Sequence, residues 1–183
     1  AAVLTEPWSP PAVARCRRLA RRIHGGERQV DGPLVTSTGP AFVVGCGVAG
    51  QGVARACKVA DRPYVVVELN PQSVQLYRKQ GEPVTYGDAV NEAVLEHVNI
   101  ARAGLMVVSI PDPLATRRIV ALARSLNPKL HIVARTRFLL SRDILKKLGA
   151  NEVLVEEYEA ALAVFKSTMT YFKVPAEMMD RHM

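Results

Sequence analysis

The stretch 43-VVGCGVAGQGVARAC-57 sets Gly45, Gly47 and Gly50 in GxGxxG spacing, behind a short apolar run and ahead of a helical pattern. Each glycine has its own task in a nucleotide-binding turn. The first permits a tight turn, the second lets backbone approach a pyrophosphate, and the third lets the helix pack closely on the strand. The N–H groups that open the helix then face the phosphates. Cys46 and Val48 lie in the same loop. Cys46 reads as a small residue that fits the turn, and as a reactive thiol only if the helix start lowers its pKa. Glu68 stands 18 residues after Gly50, at the end of the next apolar run. A carboxylate there binds ribose hydroxyls and repels a 2′-phosphate, which disfavours NADP. Leu69 and Asn70 follow it. Asn70, ahead of Pro71, has the chemistry of a helix cap, a role compatible with ligand contact.

Asp88, followed by Ala89, has two readings: a cap for 89-AVNEAVLEHV-98, or an acceptor for an adenine amino group. Ser109, a candidate cofactor contact, and Asp112 close the fourth apolar run beside the expected switch point of the sheet, and Asp112-Pro113 reads as another cap. Arg135 and Arg137 share one face of the fifth strand. They can hold phosphate or carboxylate with paired N–H groups, or pair with Glu156 and Glu157. The ligand role is favoured for Arg135 and the surface pair for Arg137. His24, His97, His131 and His182 have no nucleophile or metal-ligand neighbour in sequence and read as structural. No catalytic residue and no metal site is expected.

Positioning these residues requires strands that end together. Strands are read at 41–45, 64–69, 83–86, 104–110, 130–135 and 152–155, with helices near 48–60, 71–80, 89–97, 113–126 and 138–148. Continuous apolar strands alternating with helices predict an α/β, doubly wound parallel sheet of six strands, Rossmann-like, in the order 3-2-1-4-5-6. A last helix runs through 156-EEYEAALAVFKSTMTYFKV-174, where Ala160, Val164, Phe165, Met169 and Phe172 keep a helical apolar spacing. It either covers its own sheet or meets a partner. Ahead of the sheet, Ser9-Pro10-Pro11 starts a short helix that stops at Gly25-Gly26. The expected domains are a basic linker and helix at 1–38, a nucleotide-binding domain at 39–155, and a C-terminal helix and tail at 156–183.

Composition narrows the function classes. Aromatics are only 5% of the 183 residues, so the core must rest on Val, Leu, Ile and Ala. The net charge is +7, and part of the excess sits in the leader, where Arg15, Arg17, Arg18, Arg21, Arg22 and Arg28 face Glu6, Glu27 and Asp31. No aromatic residue interleaves those arginines between Arg15 and Arg28, which argues against single-stranded nucleic acid. An anionic lipid surface is a partner of fitting charge. Cys16, Cys46 and Cys57 lack paired or metal-ligand spacing, which fits a reducing, intracellular setting. No apolar run is long enough to span a membrane, and no signal peptide is legible. The chain begins without Met, which suggests a piece of a longer protein.

Several stretches together resemble one family: 40-PAFVVGCGVAGQGVARACKVADRPYVVVELNPQSV-74, 87-GDAVNEAVLEHVNIARAGLMVVSIPDPLATRRIV-120, 127-NPKLHIVARTRF-138 and 148-LGANEVLVEEYEAALAVF-165. They are similar to the RCK (TrkA-N) regulatory module, and most of all to the cytosolic domain of Kef-type monovalent cation–proton antiporters. The combination of ELNP, GDA, ARTR and LGANEVLVEE carries the likeness, which covers roughly 39–175. The resemblance implies a regulatory domain that binds NAD(H) or an adenosine phosphate (AMP, ADP or ATP) and turns over no substrate. It implies a membrane transporter domain in the same polypeptide and a place on the cytoplasmic side of the inner membrane. It also implies a homodimer in which the last helix crosses to the partner. Gly45, Gly47, Gly50, Glu68 and Asp88 match the family's nucleotide contacts, and Arg135 its arginine after the fifth strand. The segment 135-RTRF-138 departs from glutathione-gated members, so glutathione control is not expected. Other readings are a small NAD-dependent oxidoreductase, a potassium channel or uptake-system RCK subunit, and a DNA-binding redox sensor suggested by the arginine-rich leader.

Overall fold

The computed structural model describes residues 39–175 and Met178. Residues 39–173 belong to one compact unit. The leader helix, Cys16, His24 and His182 lie outside the described residues.

The unit alternates strand and helix as the apolar pattern demands. β1 (Ala41–Val44), β2 (Tyr64–Glu68), β3 (Val84–Tyr86), β4 (Leu105–Val108), β5 (His131–Thr136) and β6 (Glu152–Val155) form one sheet in the order β3-β2-β1-β4-β5-β6. Every pairing is parallel, as expected for 3-2-1-4-5-6. Between the strands run α1 (Val48–Val59), α2 (Pro71–Lys79), α3 (Glu92–His97), α4 (Pro113–Leu126) and α5 (Leu140–Lys147), and α6 (Glu156–Tyr171) follows β6.

Alternation along the strands divides the core in two. Phe42 and Val44 join Val67, Met106, Val108, Ile132 and Ala134 beneath α3, α4 and α5, with Leu95, Ile119, Val120, Ala123 and Leu145. Val43 points the other way, to Val66, Val74 and Val84 beneath α1 and α2. A sheet covered on both faces needs apolar residues at every strand position, and β1 is buried along its whole length. Each fully buried Val, Leu, Ile or Phe side chain contributes about 1.5–3 kcal/mol.

Register brings the candidate residues to one edge. Val44 lies beside both Val67 and Val108, so Gly45, Glu68 and Ser109 leave the sheet at the same level. Between β1 and β4 the connections turn to opposite faces, and that switch point opens a crevice at the carboxyl ends of the strands.

Two helix ends fall three residues inside the expected bounds: α6 ends at Tyr171 rather than at 174, and α3 starts at Glu92 rather than near residue 89. The cap is Asn91, whose Oδ1 accepts from the Ala93 N–H at 3.0 Å. Asp88 turns the chain instead: its Oδ1 accepts from the Val90 N–H at 3.1 Å. The helix-cap reading of Asp88 is therefore corrected. A side chain caps by reaching N–H groups two or three residues on, and Asn91 is the residue in reach of the first turn. A short 3-10 turn, Ile100–Arg102, also forms before β4.

Candidate functional site

The three glycines of the loop between β1 and α1 separate cleanly by environment. Gly45 has φ +91°, and a Cβ there would sit 2.9 Å from Ile110 Cγ2. A Cβ on Gly50 would fall 1.9 Å from the Gly45 carbonyl oxygen, so only glycine lets α1 come this close to β1. At Gly47 an added Cβ meets no protein atom within 4 Å. Its lack of a side chain relieves no contact within the chain and leaves the backbone open from outside.

Gly47 also stands where α1 would carry its cap. It makes no side-chain cap bond, and the first turn has no acidic residue. By contrast α2 is capped by Asn70, whose Oδ1 accepts from Gln72 N and Ser73 N. Likewise α4 is capped by Asp112, through Leu114 N and Ala115 N. The start of α1 therefore keeps its N–H groups and the positive end of its dipole free of side-chain acceptors. Val48, its first residue, is 91% exposed.

Ser109 holds this loop from below. It is buried, and its hydroxyl lies 2.8 Å from the Val44 carbonyl and 3.2 Å from that of Gly45. Its hydroxyl thus serves the loop's backbone rather than the open face. On the other side Gln51 donates from Nε2 to the Cys46 carbonyl at 3.1 Å and contacts the Tyr77 hydroxyl.

Glu68 ends β2 facing the loop. Its Oε2 accepts from the Cys46 backbone N–H at 2.9 Å and from the Cys46 thiol at 3.1 Å, and its Oε1 from the Asn70 N–H at 2.8 Å. Partial burial pushes this carboxyl up, but the bonds from Asn70, Cys46 and Leu69 outweigh it, and the pKa lies below its ordinary value. Glu68 is thus held ionised as a fixed acceptor at the strand end. The same contact settles Cys46. Burial, then the Glu68 hydrogen bond and charge, push its thiol up to about 12. A thiol so placed stays protonated at neutral pH and is a poor nucleophile, whatever the helix start contributes.

A crevice of about 450 Å³ opens beside the loop, a size suited to a small ligand. Gly45, Glu68, Leu69, Asp88 and Ala89 all line it, with Val44, Val67, Val90 and Ile110. Asp88 is exposed there, with one oxygen in its turn. The α4 wall supplies Asp112, Leu114, Ala115, Arg118 and Ile119. Of these, sequence reasoning singled out only Asp112. The signal for the rest was the helical spacing 114, 115, 118, 119, which marks one face of α4.

Arg135 stands to the side of the crevice. Its Nη1 donates to the Ser109 carbonyl at 3.0 Å, and its Nε pairs with Glu156 Oε1, the first residue of α6, at 2.9 Å. Arg137 lies with its guanidinium carbon 5.5 Å from the Phe138 ring centroid. His131 pairs with Glu152 at 2.9 Å. Among the described residues no group of three or more His, Cys, Asp or Glu is placed to hold a metal ion, and no helix is long and apolar enough to cross a membrane.

A doubly wound parallel sheet, a glycine turn leading into an uncapped helix, an ionised acceptor at the end of β2 and a crevice at the switch point define a Rossmann-like nucleotide-binding type of domain. Residues 41–156 match the TrkA-N domain, and the chain belongs to that family.

A putative K(+) efflux antiporter KefB of Alkalimonas amylolytica is 32% identical over 139 residues, which cover 76% of this chain and 21% of that protein. The chain thus spans about a fifth of the relative's length. The TrkA-N domain of the inner membrane protein ybaL from Escherichia coli is similar with a TM-score of 0.67 and 29% identity, over 70% of this chain and 95% of that one. The Shewanella denitrificans Kef CTD in its AMP-bound form shares the fold, with a TM-score of 0.68 and 24% identity, over 78% of this chain and 87% of that one.

Proposed function

We propose that this chain is the nucleotide-sensing domain of a monovalent cation transporter of the Kef type, in which bound NAD(H) or an adenosine phosphate sets the state of the transporter and is not consumed. The observation that carries the reading is a run of contacts from the glycine turn to α6. The Ser109 hydroxyl bonds the Val44 and Gly45 carbonyls, Arg135 donates to the Ser109 carbonyl, and Arg135 pairs with Glu156 at the start of α6. A ligand at the turn and the position of α6 then share one set of bonds.

In this reading the phosphates lie on the free N–H groups of α1, over Gly47 and Val48. Glu68 takes the ribose hydroxyls, with Leu69 and Asn70 beside it. Asp88 and Ala89 meet the base, with Asp88 accepting from the adenine amino group. The likeness to a Kef CTD solved with AMP supports an adenosine ligand. Ser109 and Arg135 act through the loop rather than on the ligand, since neither lines the crevice and both bond within the protein.

No residue of α6 is buried within the single chain, and Tyr158, Val164 and Tyr171 are exposed. A helix that open is suited to a second copy, which supports the homodimer. The transporter part lies in the same polypeptide, the domain on the cytoplasmic side of the inner membrane, and the basic leader close to anionic lipid. Ligand shifts the balance of two dimer arrangements only by binding one of them better.

Isothermal titration of the purified domain with AMP, ADP, ATP, NAD and NADH tests the reading. Saturable binding of at least one, with no turnover of the nicotinamide forms, is the expected result. No binding of any at millimolar concentration overturns it. Steady oxidation of NADH with alcohols or oxo acids as partners would favour the oxidoreductase instead.

A further inference from the structure

Arginines on α4 are Arg117, Arg118 and Arg124, and they are not equivalent. Arg124 is tied down by the carbonyls of Gly149 and Pro128 and by Asn151 Oδ1. Arg117 reaches Ser141 Oγ at 3.5 Å. Arg118 lines the crevice, is exposed, and has no hydrogen bond or ion pair to any described residue.

The walls around it are unusual in a second respect. Leu69, at the end of β2, is 57% exposed, and Leu114, at the start of α4, is 65% exposed. Both line the same crevice. Two large apolar side chains left open on either wall suit a flat, mostly apolar ring between them. Among the carboxylates of the crevice, Glu68 accepts from N–H and S–H donors on both oxygens, and Asp112 accepts from the start of α4 through Oδ1 alone, which leaves its Oδ2 without a bond to a described residue. Asp88 likewise keeps one oxygen without a bond to a described residue, and Arg118 keeps its whole guanidinium.

We propose that Arg118 is a base-binding residue, whose planar guanidinium packs on or bonds to the purine ring of an adenine nucleotide held between Leu69 and Leu114. The inference rests on the nucleotide reading above and adds to it a residue that the glycine fingerprint does not contain. A guanidinium suits this place because it is planar, permanently charged and weakly hydrated, and stacks on π-faces where an ammonium acts as a point charge. Its position on the α4 wall, in a crevice that does not include Gly47 or Val48, separates it from the phosphate end of the site.

The experiment compares the unaltered domain with R118A and R118K, titrating adenosine, AMP and ATP into each at two salt concentrations. Thermal melts of the variants check folding, which the exposed position of Arg118 favours. A base contact predicts that R118A weakens all three ligands by a similar factor, on the order of three- to thirtyfold. R118K should recover only a small part of that loss, because the plane is gone while the charge remains.

Equal affinity of R118A and the unaltered domain for adenosine and AMP would overturn the proposal and leave the nucleotide reading intact. So would a loss confined to AMP and ATP that grows with phosphate number and is rescued by lysine, since that marks a charge acting on phosphate. Failure of the unaltered domain to bind any of the three overturns this inference. It sinks the nucleotide reading as well only if NAD and NADH also fail to bind.

Discussion

Gly47 and Gly50 look alike in the sequence and do opposite things in the molecule. Gly50 is required by the chain itself, because a Cβ would lie 1.9 Å from the Gly45 carbonyl oxygen. G50A should therefore lower stability by roughly 1–3 kcal/mol, the usual cost of forcing atoms into a packed site, read as a fall in the denaturation midpoint. Gly47 has open space. G47A should melt within a degree or two of the unaltered domain yet bind nucleotide at least tenfold more weakly, as seen by titration, if the ligand's phosphates rest on that backbone. Equal binding by G47A would remove the pyrophosphate from this turn. Glu68 adds a pH signature. Its carboxyl titrates below its ordinary value in the folded chain, so the unfolded chain takes up the proton first as pH falls. The stabilisation is complete above the ordinary carboxylate range, near about 4.3, and disappears as pH drops through the lower folded value. Denaturation of E68Q and the unaltered chain between pH 7 and 3 should show their difference largest at neutral pH and closing at the acid end.

At the scale of elements, the contact that joins the sheet edge to α6 is the Arg135–Glu156 pair. Both side chains are partly exposed, so the pair adds at most about 1 kcal/mol to stability. Its consequence is positional. E156Q should leave the melting temperature nearly unchanged, while amide exchange speeds up in the first turn of α6 and the effect of bound nucleotide on that turn is reduced. Hydrogen-exchange mass spectrometry with and without ligand reads both, and an unaltered ligand effect on α6 in E156Q would show that the link does not couple the two. Elements were largely legible beforehand, because apolar runs bounded by Gly, Pro and Asn specify strand and helix locally. The start of α3 was not. Both Asp88 and Asn91 have capping chemistry, and the choice fell to Asn91 once Asp88 was drawn into the turn at Val90.

For the whole molecule, α6 is the exposed apolar surface that the compact unit leaves uncovered along a full helix. V164D places a charge on that surface at a residue 66% exposed in the single chain. Sedimentation or light scattering should find the unaltered domain dimeric and V164D monomeric, with the single-chain melting behaviour and nucleotide affinity retained. A V164D domain that remains dimeric would mean that the copies meet elsewhere.

Taken alone, the amino-acid sequence determined the sheet order, the glycine turn and the acidic end of β2. These follow from short-range patterns: apolar period, strand–helix alternation and residues at fixed offsets from a strand end. It also contained the family likeness. Tertiary structure decided which of the marked side chains remain open. The Cys46 thiol bonds to Glu68, which holds the thiol protonated at neutral pH. Ser109 and Arg135 turn their polar groups to the protein, while Arg118, unmarked in the sequence, turns toward the crevice. The physical reason is that a partner within about 3 Å takes one of a polar group's donors or acceptors and fixes the direction in which the rest point. Those partners lie 22 residues away for Cys46 and 65 for Ser109, distances that only the folded sheet brings together.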